Sequence, residues 1–338
     1  MEYPDFKVCV RCFTYNQSKY ITETLDGFCL QKTDFPFVCC IVDDASTDNE
    51  QSIILEYLNN NFELNNQYEP SEYETDYAKI VYCQHKRNLN CYFAVLLLKE
   101  NLYSKGGHWK KWQYISRWRE KCKYEAICEG DDYWIDPLKL QKQIHFLENN
   151  DSFSIIGSSY SILNQKTGRM SVYVPKRKRL NFKQTLISGG IGAATCSVLY
   201  RRESTVGYHE FIKNNNWPLG DLSLWLYILR DSQAFVMDDI TSMYRCLSES
   251  ASHTKSYNKA VAFNQGIFDI QLFFAEKYDQ TVIPLLRKKL NKRMFYTAIQ
   301  YGKTKDAIKY AKGTKLDFKD YLRIMKSIFF NNQENNKA

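Results

Sequence analysis

No stretch of this 338-residue chain approaches the ~18 consecutive apolar residues that a membrane-spanning helix requires. The opening Met1-Glu2-Tyr3-Pro4-Asp5 lacks the basic and apolar segments of a signal peptide, so the expectation is a soluble, unexported, cytoplasmic protein. Several catalytic signatures are missing as well. There is no G-x-x-x-x-G-K-[ST] loop, Ser188-Gly189-Gly190-Ile191-Gly192 lacks the strand-to-helix context of a dinucleotide fingerprint, and no G-x-S-x-G elbow occurs. Kinase, dehydrogenase and hydrolase readings therefore drop out. A second C-x-x-C is lacking too: Cys9 and Cys12 form a single one in an extended segment, which argues against a zinc site or redox pair. The eleven cysteines, an odd number, sit mostly in runs such as Phe37-Val38-Cys39-Cys40-Ile41-Val42 and read as buried, reduced thiols.

What is present is a chain 44% apolar, enough for one large core and a smaller appendage. The net charge of +8, from 46 Lys plus Arg against 38 Asp plus Glu, suits phosphate-bearing partners or an anionic membrane surface. The basic excess gathers at Lys176-Arg177-Lys178-Arg179 and in the C-terminal third rather than in one stripe, which disfavours a nucleic-acid binder.

From Lys7 to about Ile240, short apolar runs alternate with amphipathic stretches, the pattern of an α/β domain with a mostly parallel sheet. Strands are expected at Val8-Cys9-Val10, Phe37 to Val42, Ile80 to Cys83 and Ala126-Ile127-Cys128, and later at Ser154 to Gly157, Ala193 to Tyr200 and Ala234 to Met237. Helices are expected with inward faces Ile21, Leu25, Phe28 and Cys29, then Ile53, Ile54, Tyr57 and Leu58. A third starts at Asp136-Pro137, with Leu140, Ile144 and Leu147 inward. Lys99 to Tyr124 reads as an exposed helical insertion, and everything past Tyr257 as helical, with breaks at Gly302 and Gly313. The expected division is a catalytic domain at 1–256, with its insertion at about 99–124, and a helical region at 257–338.

In an open parallel sheet, ligands bind beyond the carboxyl ends of the strands, and two acidic turns fall there. One carries Asp43, Asp44 and Asp48; the other carries Glu129, Asp131 and Asp132. Converging carboxylates repel one another unless a divalent cation or a hydrogen-bonded ligand offsets the charge, and hard oxygen ligands favour Mg²⁺ or Mn²⁺. Asp48 and Asp136 also serve the simpler purpose of capping the helices that follow.

These residues resemble the inverting family 2 glycosyltransferases of the GT-A fold, particularly bacterial enzymes of surface-polysaccharide synthesis such as capsule or lipopolysaccharide. The likeness spans roughly residues 6 to 250. It rests on Phe13-Thr14-Tyr15-Asn16, on Val42-Asp43-Asp44-Ala45-Ser46-Thr47-Asp48, and on Cys128-Glu129-Gly130-Asp131-Asp132-Tyr133-Trp134 with Asp136-Pro137-Leu138-Lys139-Leu140-Gln141, in that order. The resemblance implies a nucleoside diphosphate sugar donor, with a UDP-sugar expected first. Tyr15 would lie against the base, Asp44 would accept a hydrogen bond from base or ribose, and Lys86, Arg87 and Asn88 would help hold base and phosphate. Asp131 would hold Mn²⁺ or Mg²⁺, with Glu129 and Asp132 close by. In Trp217-Pro218-Leu219-Gly220-Asp221-Leu222, Asp221 would be the general base, or a helix N-cap, or both.

Relatives often carry a histidine after a Tyr-Arg pair, whereas Leu247 stands at that place here, with His253 a few residues on. Arg287, Lys288, Lys289, Lys292 and Arg293, interleaved with leucines, suggest a basic amphipathic helix that rests either on an anionic bilayer holding a lipid-linked acceptor or on the catalytic domain. The reading is sugar transfer to a hydroxyl of a glycan or lipid-linked glycan. A sugar-nucleotide nucleotidyltransferase and a non-catalytic nucleotide-sugar-binding protein stay as alternatives.

Overall fold

A computed structural model describes residues 4–64, 72–107, 109–213, 215, 217, 220–247, 254–312 and 320. The elements in chain order begin with β1 (Val8–Thr14), α1 (Ile21–Cys29), β2 (Phe37–Asp43), α2 (Glu50–Asn61), β3 (Phe62–Glu63), β4 (Glu72–Glu74), β5 (Ala78–His85) and β6 (Cys91–Leu98). After these come α3 (Lys110–Tyr114), α4 (Ser116–Arg119), β7 (Tyr124–Ile127), β8 (Tyr133–Trp134), α5 (Lys139–Glu148), β9 (Phe153–Asn164), β10 (Met170–Tyr173) and β11 (Arg179–Asn181). The last are α6 (Phe182–Ser188), β12 (Leu199–Arg201), α7 (Tyr208–Ile212), α8 (Gly220–Ile228), β13 (Gln233–Cys246), α9 (Tyr257–Tyr278), α10 (Ile283–Gln300) and α11 (Thr304–Ala311).

The chain divides into two compact units. The first comprises residues 1–181, 191–208 and 228–245, the second 182–190, 209–227 and 246–338. Among the described residues of the first unit, ten strands follow the order β11-β13-β9-β12-β7-β1-β2-β6-β5-β3, and β10, β4 and β8 join the same sheet by pairing with β9, β5 and β13. Its centre, β7-β1-β2-β6, is parallel, as a doubly covered α/β sheet requires. Antiparallel strands flank it on both sides.

Strand alternation assigns each central residue to one of two cores. Val8, Val10 and Cys12 of β1, Phe37, Cys39 and Ile41 of β2, and Cys91, Phe93, Val95 and Leu97 of β6 point to one side, under α1, α2 and α5. Cys9, Val38, Cys40, Val42, Tyr92, Ala94, Leu96 and Leu98 point to the other. Cys9 and Cys12 thus face opposite cores, and no disulfide joins any of the eleven cysteines.

The second core corrects the expectation of an exposed insertion. Leu102, Ile115, Trp118 and Cys122 lie in it, fully or nearly fully buried, because the sheet face left bare by α1, α2 and α5 needs a cover. Within the segment, the Trp112 ring contacts the guanidinium groups of Arg11 (4.2 Å to the ring centroid) and Arg119 (4.7 Å), and both arginines pair with the buried Glu125. β6, the continuous apolar run Cys91–Leu98, is a central strand beyond those expected from the sequence.

The second unit is helical. Its basic helix α10 is partly committed to it: Lys289 donates to the Ile187 carbonyl (2.9 Å) and Arg293 to the Ser188 carbonyl (3.3 Å), satisfying the end of α6. The expected break at Gly302 separates α10 from α11, whereas Gly313 lies outside the described residues. Among the described residues no helix is long and apolar enough to cross a membrane.

α5 begins at Lys139, two residues later than Asp136-Pro137 suggested, since the Asp136 carboxylate accepts from the Leu138 N–H in a preceding turn. Lys139 is fully buried, with its ammonium bonded to Gln143 (2.8 Å) and 4.3 Å from the centre of the Trp134 ring. Burial lowers its pKa to about 7, and the Asp136 carboxylate opposes that shift. Above that pH the unfolded chain binds a proton that the folded chain does not, so this lysine makes stability rise with pH, and below it the slope vanishes. Urea midpoints are expected to show a gain on the order of 1–2 kcal/mol between pH 7 and 8.5, and Lys139→Met should abolish it. A wild-type midpoint that does not rise across that window would contradict the assignment.

Candidate active site

The parallel centre brings the carboxyl ends of β1, β2, β6 and β7 to one edge, and a cleft of about 430 Å³ opens there. Phe13, Thr14, Tyr15 and Gln17 from the end of β1, Asp44 after β2, Asn101, Tyr103, Ser104 and Lys111 from the insertion, and Glu129, Gly130 and Asp131 after β7 line it. Asp44 and Asp131, read from separate motifs, therefore share one cavity of a size suited to a small molecule.

The first wall is knit from the β1 and β2 turns. Glu50, buried at the start of α2, accepts from the Thr14 hydroxyl, the Gln17 N–H (2.8 Å) and the Ser46 hydroxyl (2.9 Å). Asn16, at φ 54°, takes the Thr47 N–H on its side-chain oxygen (2.8 Å) and donates its own N–H to Ser46 (2.9 Å). Asp48 accepts from Ser18 and, more weakly, from Glu50 at the helix start. Asn16 thus shapes the turn rather than lining the cleft, and Tyr15 beside it stays 43% exposed.

Asp43 lies behind this wall, also outside the lining. Its Oδ1 accepts from Ser46 (3.0 Å) and Gln51 (2.6 Å), its Oδ2 lacks a hydrogen-bond partner, and burial pushes its pKa up. Asp44 differs. The Leu102 N–H (2.8 Å), the Tyr103 N–H (3.1 Å) and the Lys111 ammonium (2.6 Å) all donate to its carboxylate, and Asn101 bonds its carbonyl (3.0 Å). The group expected to receive a base or ribose is already committed to fastening the insertion. Desolvation lowers the Lys111 pKa, and Asp44 opposes that shift.

The second acidic turn, between β7 and β8, is clamped on three sides. Thr24 of α1 donates to the Gly130 (3.0 Å) and Asp132 (2.6 Å) carbonyls. A side chain at Gly130 would meet the Thr14 hydroxyl at 2.0 Å, and one at Gly27 would meet the Trp134 backbone at 2.8 Å, so both glycines permit close approach. Arg245 of β13 donates from its side chain to the Asp131 carbonyl (2.7 Å) and to Glu23, between the rings of Tyr20 and Tyr133.

Asp132 is corrected by this arrangement. Because β8 pairs with β13, its carboxylate turns inward to the Arg245 backbone N–H (2.8 Å) and does not line the cleft. Burial, with the Asp131 charge adding to it, raises its pKa well above the usual carboxylate range. Among the described residues no group of three His, Cys, Asp or Glu side chains is arranged around a metal. Of the carboxylates in this second turn, those of Glu129 and Asp131 belong to residues that line the cleft, and desolvation raises the pKa of Asp131. Mg²⁺ typically takes one or two protein carboxylates and completes its shell with water and phosphate oxygens, so this pair fits such an ion.

Arg87 and Asn88 are not brought to the site. Their loop joins β5 to β6, and β6 starts opposite Phe37, so it lies at the amino-terminal edge of the parallel block, across the sheet from the cleft. There Asn88 bonds the Cys29 and Gln31 carbonyls and Lys86 those of Asn59 and Asn60. β6 runs parallel to β2 from Cys91, so the loop that reaches the cleft edge is the one that follows β6 rather than the one that precedes it. Asn101, Tyr103, Ser104 and Lys111 line the cleft, where Arg87 and Asn88 were expected.

Asp221 belongs to the second unit, where it opens α8 and accepts the Leu222 N–H (2.7 Å). His253 lies outside the described residues.

Residues 10–89 match the family described as Glycosyl transferase family 2. Uncharacterized proteins of Mycobacterium tuberculosis and Mycobacterium bovis are each 31% identical over 206 residues, 61% of this chain and 49% of theirs, so the chain spans about half the length of these curated relatives. Among solved structures, residues 1–349 of TarS from S. aureus superpose with a TM-score of 0.54, and the same fragment in complex with UDP-GlcNAc with 0.56. Both are 16% identical, over 95% of this chain and 79% of TarS 1–349, and share its fold.

The Lys111–Asp44 contact can be tested without any ligand. Asp44→Asn leaves a buried ammonium without its counter-charge and is expected to cost about 3–5 kcal/mol of stability. Adding Lys111→Met should restore most of that loss. A double-mutant cycle of urea midpoints checks it, and strictly additive losses would refute the pairing.

Proposed function

We propose that this chain, a member of the family 2 glycosyltransferases with the GT-A fold, transfers a sugar from a nucleoside diphosphate sugar to a hydroxyl of a glycan or lipid-linked glycan acceptor. The observation that carries this reading is the shared cleft. Tyr15 and Phe13, Asp44 with its insertion wall, and Glu129 with Asp131 all line one cavity at the carboxyl edge of the parallel strands.

In this reading the nucleoside lies against Tyr15 and Phe13, whose apolar faces take a flat base. Asp44 holds the 101–104 segment in place, so that Asn101, Tyr103 and Ser104 line the side of the cleft beside base and ribose. A UDP-sugar is the donor proposed first. Glu129 and Asp131 would hold Mn²⁺ or Mg²⁺, which when bound supplies positive charge to offset the diphosphate. Arg245 and Thr24 keep the turn bearing Asp131 in position through its backbone. Asp221 is proposed as the base that takes the acceptor's proton, in a single displacement with inversion at the anomeric carbon. Contact with the inner face of a cell membrane, where lipid-linked acceptors reside, belongs to the same proposal.

Incubation with UDP- and GDP-sugars, Mn²⁺ and an acceptor glycan should release nucleoside diphosphate. Asp131→Asn should lower turnover at least about 100-fold and weaken metal-dependent donor binding, whereas Asp221→Asn should abolish transfer and leave donor binding within about threefold. Release of pyrophosphate instead would identify a nucleotidyltransferase. Full activity in either variant would remove that residue from its role.

A further inference from the structure

Away from the cleft, the β9–β10 hairpin stands out by its surface. Residues 164–174 are exposed without interruption, and of residues 175–179 only Pro175 is buried. Both β9 and β7 run antiparallel to β12, with Leu199 opposite Ile156 on one side and Ala126 on the other, so β9 is parallel to β7. β7 ends at Ile127, level with Gly157, while β9 continues to Asn164. At about 3.3 Å per residue the hairpin reaches roughly 20 Å past the edge that bears the cleft.

The hairpin is well formed. Its turn closes through Gly168, at φ 68°, whose N–H donates to the Asn164 carbonyl (2.8 Å), and Tyr160 stacks on Tyr173 with ring centres 5.1 Å apart. Met170 and Val172, 60% and 53% exposed, share one face of β10, with Leu163 paired to Met170, and Val174 follows at 54%. β10 pairs only with β9 among the described residues, so an aliphatic strand edge faces solvent, an arrangement that soluble proteins ordinarily suppress.

The charges around it point to what covers it. Lys166, Arg169, Lys176 and Arg177 flank the apolar strand, and among the described residues no carboxylate pairs with them, whereas Lys178 pairs with Asp238. A second copy joined edge to edge would set these cations against their own equivalents, which opposes self-association. An anionic surface with an apolar interior satisfies both features at once.

We propose that this hairpin docks the protein on an anionic lipid bilayer. Met170, Val172 and Val174 enter the boundary between headgroups and acyl chains, and Lys166, Arg169, Lys176 and Arg177 meet acidic headgroups with their aliphatic stems along the same boundary. Docking there turns the cleft-bearing edge toward the membrane. The inference names the surface for the membrane contact proposed above and rests on that reading for its biological setting, while vesicle binding tests it separately from sugar transfer.

Co-sedimentation with vesicles tests it. The full chain should bind vesicles containing about 30 mol% phosphatidylserine, whose surface potential attracts a short polybasic segment, and should not bind pure phosphatidylcholine. Met170→Ser/Val172→Ser/Val174→Ser should weaken binding at least about tenfold, and each cation changed to Gln about fivefold. Arg287→Gln/Lys288→Gln/Lys292→Gln in α10 should leave binding unchanged. Far-UV circular dichroism and nucleoside diphosphate release with a soluble acceptor, unaltered in the hairpin variants, would confirm that fold and cleft are intact. Absence of wild-type binding to the anionic vesicles, or binding indifferent to the hairpin changes, would overturn the proposal. So would a wild-type dimer in light scattering that the triple Ser variant dissolves without any vesicle binding.

Discussion

The carboxylate of Asp44, buried beneath the cleft and gripped by two backbone amides and a lysine of the insertion, is the contact on which the site's shape depends. It joins the turn after β2 to the segment after β6 and so turns two loops into one wall. Burying that charge is tolerable only because Lys111 accompanies it and the amides saturate its oxygens. The same segment closes the second core through Ile115 and Trp118, so the stability of one sheet face and the geometry of the cleft are set by one stretch of chain.

The opposite wall follows a similar logic with different parts. Glu50 draws the β1 and β2 turns together, while Thr24 and Arg245 hold the turn after β7 by its carbonyls and leave the Glu129 and Asp131 side chains to the cleft. Gly130 and Gly27 make that clamp possible, since a methyl group at either would collide with Thr14 or with the Trp134 backbone. Groups that face the cavity are thus few, and each is backed by residues whose polar atoms are used up in positioning it.

Acidic clusters in a sequence invite the inference that every carboxylate is a ligand. Here adjacent residues divide the work: Asp44 lines the cleft while Asp43 supports the turn, and Asp131 faces outward while Asp132 is anchored on Arg245. At the end of β2 the side chains alternate in direction, so Asp43 and Asp44 do not present their oxygens to one point.

By itself the sequence determined the α/β class, the burial of its thiols, the inward faces of α1, α2 and α5, and the two turns that carry Asp44 and Asp131. These are local matters of hydrophobic period and of polar residues at strand ends. Only the tertiary structure decided that Arg87 and Asn88 lie at the far edge, because strand direction is a property of pairing and β5 runs antiparallel to β6. It also decided that the 99–124 segment covers the second core with Leu102, Ile115 and Trp118 and supplies Lys111, since the need for a cover arises from the bare face of a sheet and is not written in the segment that fills it.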